Sequence, residues 1–371
     1  MLKVPYYPFN HIPKKLISEW KTAIDQVIES GVFIGGSFVE HFESEWSTFI
    51  KCERSVSVGN GFDGLRIALE VLGVSKGMKV VVPAHTFIAT WLSVKAVGAT
   101  PVGVDVDRNG LLDLDKLEAI NDEIDAIIPV HMHGAMVNMP RLLNWAKPKK
   151  VKVVEDASQA HGANLDGKSV GTWGDAGVFS LYPTKNLGAL GDAGIIVFAD
   201  QVLASRAKSL RNYGAIEGKK YDYESLGLNS RLDPIQAAVL SVNLKYLNEW
   251  NDKRIKIANM YEEHLNENIK KLQPAALNSV RHHFPILVPN PEQVARVLNE
   301  KGIGVERHYP ETAARSYAKV NRIKDSIPYP IADSISSSTL SLPISPWHTE
   351  DQISYVMESL NMAIADRSIE I

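Results

Sequence analysis

An α/β fold is predicted, with a large, mostly parallel sheet domain followed by a smaller α+β domain toward the C-terminus. Three observations predict it. From Arg54 to about Ala199, short β-branched runs alternate with helical patterns. Those runs are apolar without alternation, as strands buried on both faces are. Beyond them the chain turns to one long helical pattern and then to a compact mixture of short runs.

The elements follow in order. "SVSV" (55–58) passes through "GNGFDG" into the helical "LRIALEVLG". "MKVVVPA" (78–84) leads into "FIATWLSVKAVG", and "TPVGVDVD" (100–107) comes next. "IDAIIPVHMH" (124–133) precedes the helical "MPRLLNWAK", and "VKVVEDA" (151–157), "AGVFSLY" (176–182) and "AGIIVFAD" (193–200) close the series. Asp233 and Pro234 then open a single helical pattern over 233–265. Aspartate suits an N-cap and proline the first helical turn. "HHFPILVPN", "PEQVARVLNEKGI", "STLSLPIS" and "TEDQISYVMESLNMAIA" complete the chain. A large domain is expected over residues 1–245 and a small C-terminal domain over 246–371, with the long helix as connector.

Composition narrows the function. The 371 residues exceed one ordinary domain, and 45% hydrophobic with 22% charged residues is usual for a globular protein. The formal net charge of −3 supplies no basic field for nucleic acid or an anionic membrane. Cys52 is the only cysteine, so no intramolecular disulfide forms, as in a reducing compartment. "MLKVPYYPFNHIPKK" has no apolar signal core, and no stretch approaches a membrane span. A cytoplasmic location is expected, without membrane association and without a metal.

Ligands of open α/β sheets sit beyond the carboxyl ends of the strands, and the chemically suggestive residues follow strands here. Asp156 ends the apolar "VKVVED". A carboxylate there has lost hydration and needs a cation or several donors to stay ionised; an ordinary aspartate capping a turn has the same sequence signature. "VGNGFDGL" joins a strand to a helix through Gly59 and Gly61, which lets an anion approach free backbone amides and the positive end of a helix dipole. A plain tight turn is the alternative. Asp63 would repel a phosphate, so its side chain is expected to cap the helix or point aside. Phe87 follows a strand, where its ring stacks on a planar ligand or simply joins the core. "FSLYPTKNLGALGDAG" carries Ser180 and a lone amine, Lys185, which is either a solvated charge or a nucleophile in a partly dry pocket. An anion cradle, a ring, a carboxylate, a hydroxyl and a lysine are together what pyridoxal 5′-phosphate requires: a helix N-terminus for the phosphate, an aspartate for the ring nitrogen, and a lysine for the aldehyde.

On "GNGFDGLRIALE", "VVPAHTFIATW", "PVHMHG", "VEDASQAHGA", "FSLYPTKNLGALGDAG", "LNSRLDPIQAAVL" and "SLPISPWHTEDQ", the chain resembles the DegT/DnrJ/EryC1/StrS sugar aminotransferases over nearly its whole length. The resemblance implies the aspartate-aminotransferase-like type I fold and pyridoxal 5′-phosphate. It implies that Lys185 forms the covalent imine and that Asp156 pairs with the pyridinium nitrogen. Gln159 would bond the ring hydroxyl and Phe87 would cover the ring, while Gly61, Phe62 and Ser180 would hold the phosphate. Asn229 is similar to a residue that reaches the phosphate of a neighbouring subunit, which implies a homodimer with shared active sites. Lys220 and Tyr221 in "KKYDY" resemble a segment that binds the diphosphate of a nucleotide-sugar. His308 and Tyr309 stand where relatives contact substrate.

Departures bear on the sugar. The family often reads His-Leu-Tyr-Gly-Gln where this chain reads "HMHGA", with His133 and Ala135 in place of tyrosine and glutamine. "HYPETAARSYAKV" lacks the proline- and histidine-rich continuation of many relatives. The likeness implies amino transfer from L-glutamate to a dTDP-linked 3-keto-6-deoxyhexose in deoxysugar biosynthesis, of the kind that feeds lipopolysaccharide O-antigen. A 4-keto nucleotide-sugar, a dehydratase of the same fold, and a non-catalytic cofactor- or sugar-nucleotide-binding regulator are the rivals. Lys185 stands against the dehydratase, in which histidine takes that place.

Overall fold

The computed structural model describes residues 2–274, 277–322 and 328–365. Residue 1 of the expected large domain, and residues 275–276, 323–327 and 366–371 of the expected small one, lie outside the described residues. The main sheet is built from β1 (Arg54–Val58), β2 (Lys79–Pro83), β3 (Thr100–Val104), β4 (Ala126–Ile127) and β5 (Lys152–Asp156). After a two-stranded ribbon, β6 (Asn164–Leu165) and β7 (Lys168–Ser169), it continues with β8 (Ala176–Ser180) and β9 (Gly194–Phe198). The order is β1-β9-β8-β5-β4-β2-β3, and only β9 runs against its neighbours. The expected mostly parallel sheet is therefore present. Its one reversal comes from the hairpin-like return of the chain from β8 through residues 181–193.

The unalternating apolar runs are explained by burial on both faces. Along β9, Ile196 and Phe198 join one core with Val56, Leu65 and Val80, while Ile195 and Val197 join another with Phe42, Trp46 and Phe179. Burying each such large side chain contributes about 1.5–3 kcal/mol.

The long pattern over 233–265 is not one helix. It divides into Pro234–Leu244 and Leu247–His264, with Lys245 and Tyr246 closing back on Val242 and Asn243 through backbone bonds. Asn243 is held there from the side, accepting from Trp20 Nε1 at 2.7 Å and donating to the Gly188 carbonyl at 2.8 Å. Tertiary bonds at Asn243 accompany the break in a segment whose periodicity alone would continue. Asp233 occupies the N-cap position but its carboxylate bonds no first-turn amide.

A second, antiparallel sheet comprises β10 (Lys270–Lys271), β11 (Phe284–Leu287) and β12 (Thr339–Leu342). Its core unites Phe284, Ile286, Leu340 and Leu342 with Tyr261, Val356 and Leu360. This core supports our proposed division near residue 246, but packing crosses that line. Val4 joins the second core and bridges to Ile303. In the other direction, Ala313 and Tyr317 of helix Ala313–Val320 and Ile335 of helix Pro330–Ser338 pack into the large core. The Asp105 carboxylate fastens the second of these helices by accepting from the Ile331 and Ala332 amides at 3.2 and 2.8 Å. No described helix is long and apolar enough to cross a membrane.

One buried charge braces the sheet behind the strand ends. Glu155 is fully buried and accepts from the amides of Gly171, Trp173 and Gly174 and from the ring of His131 at 2.9 Å. His131 Nδ1 accepts from the Val137 amide, so its proton sits on Nε2 and is donated to Glu155. Glu155→Ala leaves four neutral donors without their acceptor, each costing about 1–3 kcal/mol where it stays buried and unpaired, and should lower stability by at least about 3 kcal/mol, read from the denaturant midpoint. A loss under about 1 kcal/mol, the level of a typical single hydrogen bond, would contradict that bracing role.

Candidate active site

Three strand ends and one loop make the site. β5 delivers Asp156 at its last residue, where the side chain is only 6% exposed. Thr90 Oγ1 donates to its Oδ2 at 2.9 Å, and the Ser158 amide donates to Oδ1 at 3.2 Å. β8 ends at Ser180, and the loop returning to β9 carries Lys185, whose amide bonds the Tyr182 carbonyl at 2.9 Å. The loop closes tightly enough that a Cβ on Gly188 would stand 2.5 Å from the Pro183 carbonyl oxygen. Burial pulls the Lys185 ammonium from 10.5 to about 8, against the opposing pull of the Asp156 carboxylate.

After β1, Asn60 caps helix Gly61–Val71 by accepting from the Asp63 amide at 2.8 Å. The amides of Gly61 and Phe62 open this helix, where no intrahelical carbonyl is available to them. A Cβ on Gly61 would meet Ser180 Cβ at 2.8 Å, so glycine allows the helix start and the serine to close on one point. The Asp63 carboxylate is turned aside, accepting from Ser230 Oγ at 2.7 Å and Asn60 Nδ2 at 3.0 Å.

These groups face a cavity of about 410 Å³. Gly61, Phe62, Phe87, Asp156, Gln159, Ser180, Lys185, His308 and Tyr309, all singled out from sequence, line it. Phe87 is 53% exposed at its rim, with its ring 5.6 Å from that of Tyr309. Gln159 accepts from the His133 amide at 2.7 Å and donates to Tyr309 Oη at 3.3 Å. His308 lies 2.9 Å from Ser341 Oγ and stacks on His283 at 3.8 Å. Burial pulls His308 down to about 3, so it is neutral.

Asn229, Lys220 and Tyr221 are not brought to this cavity within one chain. Asn229 is exposed and bridges to Asn212. Tyr221 is 78% exposed with a φ of 63°, and the Lys220 ammonium sits 5.0 Å from its ring centroid. His133 is wholly buried behind Gln159 with its Nδ1 3.2 Å from that of His283. It does not line the cavity.

Sequence reasoning missed Thr90, Tyr7, His282 and His283, which also line the cavity. Thr90 lies inside the quoted "PAHTFIATW", and the doublet of "RHHFP" is conspicuous. Neither carries a signal of which strand end it meets.

The donor set fits pyridoxal 5′-phosphate. Open amides and a hydroxyl converge where no side chain fits on Gly61, the nearest acid is turned aside, and a desolvated carboxylate and amine share one cavity. Because the Lys185 pKa is depressed, its neutral form grows as pH rises, reaching half near about 8 and nearly all of it about one unit higher. If Lys185 is the amine that reacts, the rate of imine formation when the cofactor is added to cofactor-free protein should rise roughly tenfold per pH unit below about 7, bend near about 8 and level off by about 9. Stopped-flow absorbance measures it, and a rate still climbing tenfold per unit at about 9.5 would show an ordinary exposed lysine.

Comparison with known proteins agrees with this geometry. The DegT/DnrJ/EryC1/StrS aminotransferase family matches residues 14–361. The dTDP-3-amino-3,6-dideoxy-alpha-D-galactopyranose transaminase of Aneurinibacillus thermoaerophilus is 38% identical over 363 residues, covering 96% of this chain and 99% of that protein. The erythromycin biosynthesis sensory transduction protein EryC1 of Saccharopolyspora erythraea is 37% identical over 365 residues, covering 97% of this chain and 99% of the other. The crystal structure of S. venezuelae DesV in complex with a ketimine intermediate superposes with a TM-score of 0.93 at 36% identity, covering 98% of each chain. With the whole fold and nearly the whole length matched, the chain belongs to the DegT/DnrJ/EryC1/StrS aminotransferase family.

Proposed function

We propose that this aminotransferase moves the amino group of L-glutamate to the 3-keto carbon of a dTDP-linked 6-deoxyhexose, giving the 3-amino sugar. The observation that carries the reading is the pairing, in one cavity, of a desolvated lysine with a buried strand-end carboxylate. The names of relatives that act on dTDP-3-amino sugars support the choice of sugar. Pyridoxal 5′-phosphate, when bound, supplies an electrophilic carbon and an electron-withdrawing ring.

The chain's residues do the rest. Gly61 and Phe62 amides with the Ser180 hydroxyl hold the phosphate by charge-assisted bonds. Asp156, whose carboxylate accepts from Thr90 Oγ1 and the Ser158 amide, is placed to hold a proton on the ring nitrogen. Lys185 Nζ, once free, takes the proton from the donor's α-carbon, a task that requires the neutral amine favoured by its dry setting. Gln159 orients the ring hydroxyl and Phe87 covers the ring face. His308 and Tyr309 face the sugar, and the neutral histidine adds no charge beside the amine. Asn229, Lys220 and Tyr221 serve the site of a second copy in a homodimer with shared active sites. Asn229 reaches that copy's phosphate cradle, and Lys220 and Tyr221 reach the nucleotide diphosphate.

Incubating the cofactor-loaded protein with L-glutamate should bleach its visible absorbance and release 2-oxoglutarate. A panel of dTDP-, UDP- and GDP-linked 3-keto and 4-keto sugars should then restore the absorbance best with the dTDP-linked 3-keto sugar. An unchanged spectrum with glutamate would favour the regulator, and preference for a 4-keto sugar would overturn the regiochemistry. Lys185→Ala should retain cofactor non-covalently and lose turnover by at least about 10²–10⁴-fold. Near-normal turnover would remove the lysine from its role. Asp156→Asn should lose most activity with cofactor still bound, and full activity in that variant would refute the pairing with the ring nitrogen.

A further inference from the structure

The fold decides which nitrogen of His282 carries its proton. Asn186 follows Lys185 directly in the chain and is buried. Its Nδ2 donates to the Val280 carbonyl at 3.0 Å and to Asn251 Oδ1 at 2.8 Å. Asn251 Nδ2 in turn donates to the His161 carbonyl at 2.9 Å. A backbone carbonyl only accepts, so these two carbonyls orient both amides and leave Asn186 Oδ1 as an acceptor. That oxygen lies 3.0 Å from His282 Nδ1, so the imidazole donates from Nδ1. Burial holds the ring neutral, with its pKa well below the ordinary histidine value, and the charges of Lys185 and Arg254 act the same way. A neutral imidazole has one N–H, so Nε2 carries a bare lone pair.

His282 is 3% exposed and lines the same cavity as Lys185. Nε2 of His85 and Nε2 of His133 are sealed in the interior without a partner. Nε2 of His282 is not sealed, and among the described residues no hydrogen bond engages it. The bond to Asn186 holds the ring beside the backbone of Lys185, the preceding residue. The other titratable or charged groups around the pair are Asp156, Arg254, His161, His283 and His308. Burial keeps these three imidazoles neutral. Arg254 Nη1 is committed to the Ile344 and His282 carbonyls, at 2.8 and 3.4 Å. Asp156 accepts from Thr90 and Ser158 and, in the proposed reaction, serves the cofactor's ring nitrogen. A protonated amine released into this dry cavity needs an acceptor of its own.

We propose that Asn186 fixes His282 as a hydrogen-bond acceptor, and that His282 Nε2 receives an N–H of the Lys185 ammonium whenever that amine is free of the cofactor. The proposal deepens the reading of the protein as an aminotransferase working through Lys185 and rests on it. Lys185 takes a proton from one carbon and returns it to another, and in the interval it is a charge without water. A neutral imidazole holds that charge in place and is too weak a base to remove its proton. Asn186 is then a positioning residue that acts through the ring, and the opposite tautomer would aim an N–H at the ammonium and repel it.

Two measurements test it. Nitrogen NMR of isotope-labelled histidines in the cofactor-loaded protein reads the tautomer, and the signals lost in His282→Gln or His282→Phe assign the ring. A proton on Nδ1 and none on Nε2 is expected. A proton on Nε2, or an imidazolium at neutral pH, overturns the proposal. In Asn186→Leu the proton should spread over both nitrogens, and an unchanged tautomer there removes Asn186 from its role. The second measurement is the pH profile of imine formation when cofactor is added to cofactor-free protein. An acceptor for the ammonium stabilises the charged form and raises the amine's pKa. His282→Phe keeps a ring and removes the acceptor, so the bend in the profile should move down by about one pH unit. His282→Gln supplies an amide oxygen and should bring the bend back to within about 0.3 unit of wild type. A purely structural loss would admit water and move the bend up, toward the ordinary lysine value. A bend that stays put or moves up in His282→Phe overturns the proposal. If that variant fails to fold, His282→Leu takes its place in both measurements. Wild-type protein that forms no imine on Lys185 would refute the proposed reaction and this role with it, whereas normal imine formation with an unmoved bend refutes this role alone.

Discussion

The site depends on one amine being kept from bulk water. At the end of a sheet covered on both faces, Lys185 is surrounded by backbone, aromatic rings and neutral imidazoles, and desolvation outweighs the attraction of Asp156. The same dryness acts oppositely on neighbouring groups. It keeps His282, His283 and His308 uncharged, so that several titratable rings crowd the amine without repelling its protonated form. It also makes the hydrogen bonds from Thr90 and Ser158 to Asp156 consequential, because a buried polar group left without partners costs free energy.

The backbone that creates this environment is ordinary except where side chains are forbidden. Parallel strands end together and lay their last residues along one edge. β9 reverses that direction and returns the lysine loop across the edge instead of around the sheet. Gly188 folds the loop onto Pro183, and Gly61 brings a helix start against Ser180. The chemistry thus comes from a close approach of three backbone segments, with side chains filling the space that remains.

Much of this was legible in the sequence because the sheet is buried on both faces. Unbroken apolar runs mark such strands, and a polar residue at the end of one, such as Asp156, stands out against them. Lys185 and Ser180 were legible because they flank a glycine-rich return between two such runs. Contacts between distant segments were not. Thr90 meets Asp156 across 66 residues, and His133 meets His283 across 150, with no local pattern to announce either. The continuous helical periodicity of 233–265 hid a break at Asn243, since side-chain bonds to Trp20 and Gly188 belong to tertiary packing. Asn229, Lys220 and Tyr221 lie exposed on the outside of the chain, and no sequence pattern says what they would face there.

The interleaving of the two cores also limits how the molecule moves. Helices Ala313–Val320 and Pro330–Ser338 are rooted in the large core, the second of them tethered by Asp105, while Val4 at the opposite end of the chain is rooted in the small one. A body fastened to its neighbour from both ends of the sequence must break buried contacts at both places to move against it. Phe87 and Tyr182, by contrast, stand about half exposed at the cavity, where turning a side chain breaks fewer buried contacts than moving a core would.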